Sequence, residues 1–104
     1  YRTVGSRIGQ QPELIAVAAE QTMSDRAWDD YLYWQSQDKR ILKRINDLVK
    51  SIEREGLSKG LGKPEPLKHR KAWSRRIDEM NRLVYNIDEN GNLWLIACRG
   101  HYED

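Results

Sequence analysis

Four kinds of side chain in this sequence point to chemistry on protons and phosphate charge: a carboxylate, Glu65; two arginines, Arg76 and Arg82; and a histidine followed by a tyrosine, His101 and Tyr102. Cleaving RNA by its own 2′-hydroxyl needs a base for that hydroxyl, a cation for the charge that builds on the phosphorane, and an acid for the departing 5′-oxygen. The chain holds a candidate for each role. Glu65 stands between Pro64 and Pro66 in "GKPEPLKH", residues 62 to 69. The two rings fix their own φ and bias the preceding residues away from helix, so the backbone there has few conformations to lose on ordering. On the motif alone a stiff connector is the simpler reading.

Arg76 and Arg82 fall on expected strands, where a rigid element can aim a guanidinium at phosphate; arginines on a solvated sheet face are the competing reading. An ordinary histidine titrates near ~6.5 and suits His101 to acid catalysis, while the Tyr102 ring offers a platform for a splayed base. His69 and Tyr85 are further candidates for the acid. Histidines this far apart form no helix-spaced ligand pair, so no metal or other cofactor is expected.

Charge is unevenly spread. The net charge is +2, yet residues 58 to 76 hold Lys59, Lys63, Lys68, Arg70, Lys71, Arg75 and Arg76 against the one acid Glu65. Such a stretch can neutralise several phosphates, so nucleic acid is the leading partner class, with Arg76, Arg75, Lys63 and Lys68 as candidate RNA contacts; a solvated basic face is the plain alternative. The single Cys98 excludes an internal disulfide and a multi-cysteine zinc site and fits a reducing compartment, the cytoplasm. Arg2 and Arg7 ahead of "LIAVAA" have the order of a signal peptide, but the apolar run is short and Glu13 adjoins it. No apolar run approaches the roughly 20 residues of a membrane helix.

These side chains need a scaffold, and 104 residues suffice for one domain, with four Trp and five Tyr supplying much of the buried area. Residues 1 to 13 read as a loose arm, and 14 to 104 as the domain. A strand is expected within Leu14 to Met23, either from "LIAVA" or from the alternation of Ala19, Gln21 and Met23. Ser24 as N-cap with Ala27, Tyr31 and Trp34 at helical spacing predicts a helix over about 25 to 35. Ile41, Ile45, Leu48 and Ile52 predict a second helix stopping at Gly56, hence a helical hairpin across Ser36 to Asp38. Beyond the Gly- and Pro-rich stretch 56 to 66, "AWSRRID", "RLVYNID" and "NLWLIACR" alternate with period two, and Asn90-Gly91 marks a hairpin. The expected architecture is α+β, two helices on three antiparallel strands.

"AWDDYLYWQ" at 27 to 35, "GLGKPEPLKH" at 60 to 69, "WSRRI" at 73 to 77, "NRLVY" at 81 to 85 and "HY" at 101 and 102, in this order, resemble the YoeB family of the RelE superfamily. The resemblance implies a microbial ribonuclease-like fold and a toxin of a bacterial toxin-antitoxin system, an endoribonuclease that cuts mRNA in the ribosomal A site without metal and so inhibits translation. It also implies roles: Glu65 as general base, Arg82 as transition-state stabiliser, His101 as general acid, Tyr102 as base contact and Arg76 as supporting phosphate contact. Its members tend to dimerise and are neutralised by an antitoxin whose disordered tail folds over the toxin. This chain departs from the pattern at Asn81, where His is common, in a turn at 70 to 72 shorter by two residues, at Gly56-Leu57 in place of Pro-Phe, and in the tail Glu103-Asp104. The shortened turn and acidic tail leave an alternative, a catalytically impaired homologue that only binds antitoxin or ribosome.

Overall fold

The computed structural model describes residues 2–3 and 21–101, which form a sheet with two helices packed on one face. In chain order the elements are β1 (Arg2–Thr3), β2 (Gln21–Met23), α1 (Asp25–Gln37), α2 (Lys39–Glu55), β3 (Glu65–Pro66), β4 (Trp73–Arg76), β5 (Arg82–Ile87) and β6 (Leu93–Ala97).

Local chemistry sets the helix ends. Ser24 Oγ accepts from the Ala27 N–H at 3.0 Å and donates to the Ile96 carbonyl at 2.7 Å. One residue therefore caps α1 and ties its start to β6; loss of such a cap costs about 1 kcal/mol. Asp38 closes α1 through its own N–H to the Trp34 carbonyl and opens α2 by accepting from the Arg40 N–H at 2.9 Å. The expected hairpin is thus turned by one residue. Partial desolvation raises the Asp38 carboxyl, but hydrogen bonds from the Arg40 and Ile41 backbone outweigh it and hold the group below the usual carboxylate range. In α2 the buried stripe Ile45, Leu48, Val49 and Ile52 faces the sheet, and Gly56 caps the end.

The strand order is β1-β2-β6-β5-β4-β3. The expectation of three antiparallel strands needs enlarging: β2 joins β6 in parallel, β1 joins β2, and the Pro-Glu-Pro stretch supplies β3, antiparallel to β4. Of the two strand readings before residue 24, Gln21–Met23 is the one formed, while "LIAVA" lies outside the described residues. The arm at 1 to 13 contributes Arg2–Thr3 as strand; its other residues also lie outside them. Pro66 is tolerated in β3 because this is an edge strand, where a missing N–H breaks no inner ladder.

The main core, with Leu48, Ile52, Leu83, Tyr85 and Leu95 at its centre, fills the space between helices and sheet. A smaller cluster of Ala72, Val84 and Ala97, flanked by Leu67 and Ile96, lies on the other face. Strict alternation along β6 would put Ala97 with Leu93 and Leu95. Instead Val84 pairs with Ala97 and Tyr85 with Leu95, which leaves Ile96 as an extra residue and switches the phase. Cys98 is thereby returned to the helix side.

Candidate active site

The face away from the helices carries the polar residues of interest. Glu65 is the register partner of Ser74, and Ser74 of Val84; Arg76 is the partner of Arg82. Residues directly opposite, or two apart on one strand, share a face. Glu65, Ser74, Arg76 and Arg82 therefore line the same surface on β3, β4 and β5. Arg82 Nη1 donates to Ser74 Oγ at 3.4 Å, which brings the guanidinium over the serine paired with Glu65. Glu65 and Arg76 are exposed and Arg82 half-buried.

The third component arrives from the end of β6. Beyond the bulge the chain is bound to α1: the Cys98 N–H donates to Asp30 Oδ2 at 3.0 Å, Trp34 Nε1 to the Cys98 carbonyl at 2.8 Å, and Arg26 Nη2 to the Arg99 carbonyl at 3.0 Å. The Arg99 guanidinium stacks over the Tyr33 ring, 3.5 Å from its centroid. The Arg82 N–H then donates to the Gly100 carbonyl at 3.1 Å. His101, exposed, follows one residue later, so the histidine and Arg82 are neighbours. Tyr102 lies outside the described residues.

Beneath this surface, the loop from α2 to β3 is fixed by Arg75, which the structure places differently from its expected role. Arg75 is 0% exposed. Its Nε donates to Tyr85 Oη, Nη1 to Ser51 Oγ and the Leu61 carbonyl, and Nη2 to the Gly56 and Lys59 carbonyls, at 2.6 to 3.1 Å. All five N–H bonds are committed to the interior, and the charge sits against carbonyls at the negative end of α2. Arg75 cannot reach RNA. Alternation explains the correction, because Arg75 faces the helices while Ser74 and Arg76 face away. Tyr85, a candidate acid, is also buried, and its hydroxyl donates to the Leu57 carbonyl at 2.6 Å. Burial raises its pKa against the opposing pull of Arg75, and a hydroxyl so buried, with its proton committed to Leu57, is out of reach of a substrate.

The glycines of "GLGK" belong to this packing. Gly62 has φ +88, and a Cβ there would clash with Leu48 Cδ2, so the loop closes only with glycine. Lys63, next to it, adopts φ 53, a left-handed conformation unusual for a side chain this size and held by the Arg76 N–H to Gly62 carbonyl bond of 2.7 Å. Lys63 and Lys68 are exposed on either side of Glu65, as is His69. The shortened turn before β4 still closes, with the Leu67 N–H on the Ala72 carbonyl at 2.9 Å.

Residues 23–102, from the end of β2 through every site residue named above, match the model of the YoeB-like toxin of bacterial type II toxin-antitoxin systems. The chain belongs to the YoeB-like toxin family. Toxin YoeB of Escherichia coli strain K12 is 54% identical over 81 residues, 76% of this chain and 94% of that protein. Among solved structures, a YoeB dimer from Staphylococcus aureus superposes with TM-score 0.77 at 41% identity, covering 83% of this chain and all (100%) of that one. The YoeB–YefM complex from the same organism gives 0.74 at 43% identity, over 81% and 98% of the two chains. A YoeB-like chain with this surface has a carboxylate and two guanidiniums on neighbouring strands, and an imidazole a few residues past the end of β6. Two residues escaped the sequence reading. Ser74 is invisible within "WSRRI" until register shows what it pairs with, and Asn81 drew notice only as a departure.

Proposed function

We propose that this chain is a ribosome-dependent endoribonuclease that cuts mRNA in the A site by attack of the 2′-hydroxyl on the adjacent phosphate. Glu65 removes the 2′-hydroxyl proton, the 2′-oxygen bonds to phosphorus, and Arg82, assisted by Arg76, stabilises the added negative charge. His101 donates a proton to the 5′-oxygen as its bond to phosphorus breaks. The products are a 2′,3′-cyclic phosphate and a 5′-hydroxyl. Tyr102 contacts a base, and Lys63 and Lys68 hold the phosphates to either side.

The observation that carries this reading is the contact of Arg82 with Ser74, the register partner of Glu65, together with the Arg82 N–H bond to the residue before His101. Groups held on strands are positioned more accurately than groups on loops, and a base or acid so placed contributes about 10²–10⁴ in rate. The chemistry asks nothing of a metal ion and needs ribosomes, which places the activity in the cytoplasm. An antitoxin protein restrains this chain, and two copies associate; the S. aureus complex and dimer support both points.

Purified protein added to programmed ribosomes tests the reading. Cleavage at the A-site codon leaving a cyclic phosphate, undiminished by EDTA, is expected. Intact mRNA with folded protein would leave the binding-only alternative.

A further inference from the structure

The β4–β5 turn contains a side chain with two different partners. Asn81 Nδ2 donates to Asp78 Oδ1 and Oδ2 at 3.1 and 3.2 Å, and its Oδ1 accepts from the Gly100 N–H at 2.8 Å. Chemistry fixes this orientation, since a carboxylate only accepts and an amide N–H only donates. Asp78 is held in turn by the N–H groups of Met80 and Asn81, at 2.8 and 2.7 Å. The Asn81 carbonyl accepts from the Ile77 N–H at 3.0 Å, so its backbone is also fixed.

Gly100 is thus gripped on both sides by consecutive residues, its N–H by the Asn81 side chain and its carbonyl by the Arg82 N–H. It adopts φ +90, a conformation that turns the chain sharply just before His101. We propose that Asn81 is a positioning residue for the acid: its carboxamide seats the peptide before His101 against the strand that carries Arg82, so that acid and cation meet the same phosphate. This rests on the ribonuclease reading above. A displacement of about 1 Å at such a site costs on the order of 10²-fold in rate.

The test combines kinetics with amide exchange. In the intact chain the Gly100 amide exchanges slowly, and Asn81→Ala accelerates it while amides in α2 keep their protection. On programmed ribosomes, Asn81→Ala lowers the single-turnover rate on the order of 10²-fold, with half-saturating ribosome concentration little changed. Asn81→His restores much of the rate, since a neutral imidazole has one donor and one acceptor. In a His101→Gln background, Asn81→Ala adds less than about twofold, because two residues acting through one group are not additive. An RNA with a 5′-bridging sulfur, which leaves without a proton, suppresses the Asn81→Ala defect. Losses that multiply in the double variant, a defect untouched by the sulfur substrate, or an unchanged Gly100 exchange rate would each overturn the proposal. If His101→Gln cleaves at the wild-type rate, the ribonuclease assignment of His101 falls and the proposal with it, whereas a slow His101→Gln beside a fast Asn81→Ala rejects the proposal alone.

Discussion

Arg75 Nε lies 2.8 Å from Tyr85 Oη, and both groups go on to hold the loop that delivers Glu65. Tyr85 donates to the Leu57 carbonyl, and Arg75 to the carbonyls of Gly56, Lys59 and Leu61. A buried guanidinium thus does for this loop what a strand ladder does for its neighbours, satisfying carbonyls that have left the helix. Replacing it with methionine strands several of those acceptors and costs on the order of 3 kcal/mol or more, read by urea unfolding. Arg75→Lys falls short as well, having three donors in place of five. The salt dependence of RNA binding by the folded fraction stays as in wild type. A stable variant with a shallower salt slope would return Arg75 to the surface role first expected of it.

Arg76, Lys63 and Lys68 behave in the opposite way. Each is exposed, so its replacement by alanine leaves unfolding within about 0.5 kcal/mol. Each lowers the dependence of log K on log salt by about 0.7 for single-stranded RNA, the signature of one lost phosphate contact. Titrations across a range of KCl concentrations check this, and Lys63→Gly, which relieves the left-handed backbone, separates strain from charge.

Cys98 is 2% exposed, and burial, with the nearby Asp30 charge, pushes its thiol up to about 12. The native thiol therefore resists thiol reagents at neutral pH, and modification tracks global unfolding. Linkage gives the sign at high pH. The unfolded thiol ionises near its ordinary 9.0 while the folded one holds its proton, so this contribution to stability is complete below 9.0 and is lost as pH rises toward about 12. Cys98→Ala flattens the stability profile in that window.

Asp88, alongside Asp38, contributes to the acid limb. Its carboxylate accepts from the Asn90 and Asn92 N–H groups, both at 2.9 Å, and from Trp94 Nε1 at 3.2 Å, and these bonds, the Asn92 backbone first, hold it below 3.8. The stabilisation is present above the unfolded value of 3.8 and fades as pH falls through the lower folded one. Asp88→Asn is less stable at neutral pH and loses less on acidification, as thermal melts across that range would record.

Helices were legible in the sequence because α2 repeats its apolar residues every turn and Ser24 and Gly56 are cap residues, whereas the double capping role of Asp38 shows only in the structure. The last two hairpin strands were legible through alternation and Asn90-Gly91. Glu65, Arg76 and Arg82 were legible as residue types, and the sheet brings them to one surface. What stayed hidden depends on register. Adjacent arginines in "SRR" differ in fate because a strand sends them to opposite faces, and no local signal says which face holds the helices. The Ile96 bulge likewise shifts the phase of β6 through pairing with Val84, a residue on another strand. Asn81 has meaning only once Gly100, 19 positions away in sequence, is beside it.

The proposed cleavage turns on Glu65 acting as the base beside Arg82. Its most direct test is the rate of A-site mRNA cleavage on programmed ribosomes for wild type and Glu65→Gln, compared at matched folded concentration. Glu65 is exposed at the sheet edge and its carboxylate makes no hydrogen bond or ion pair among the described residues, so the substitution is expected to leave the fold intact. A rate lower by about 10²–10⁴ with unchanged ribosome binding is the predicted result. Cleavage by Glu65→Gln at the wild-type rate would contradict it.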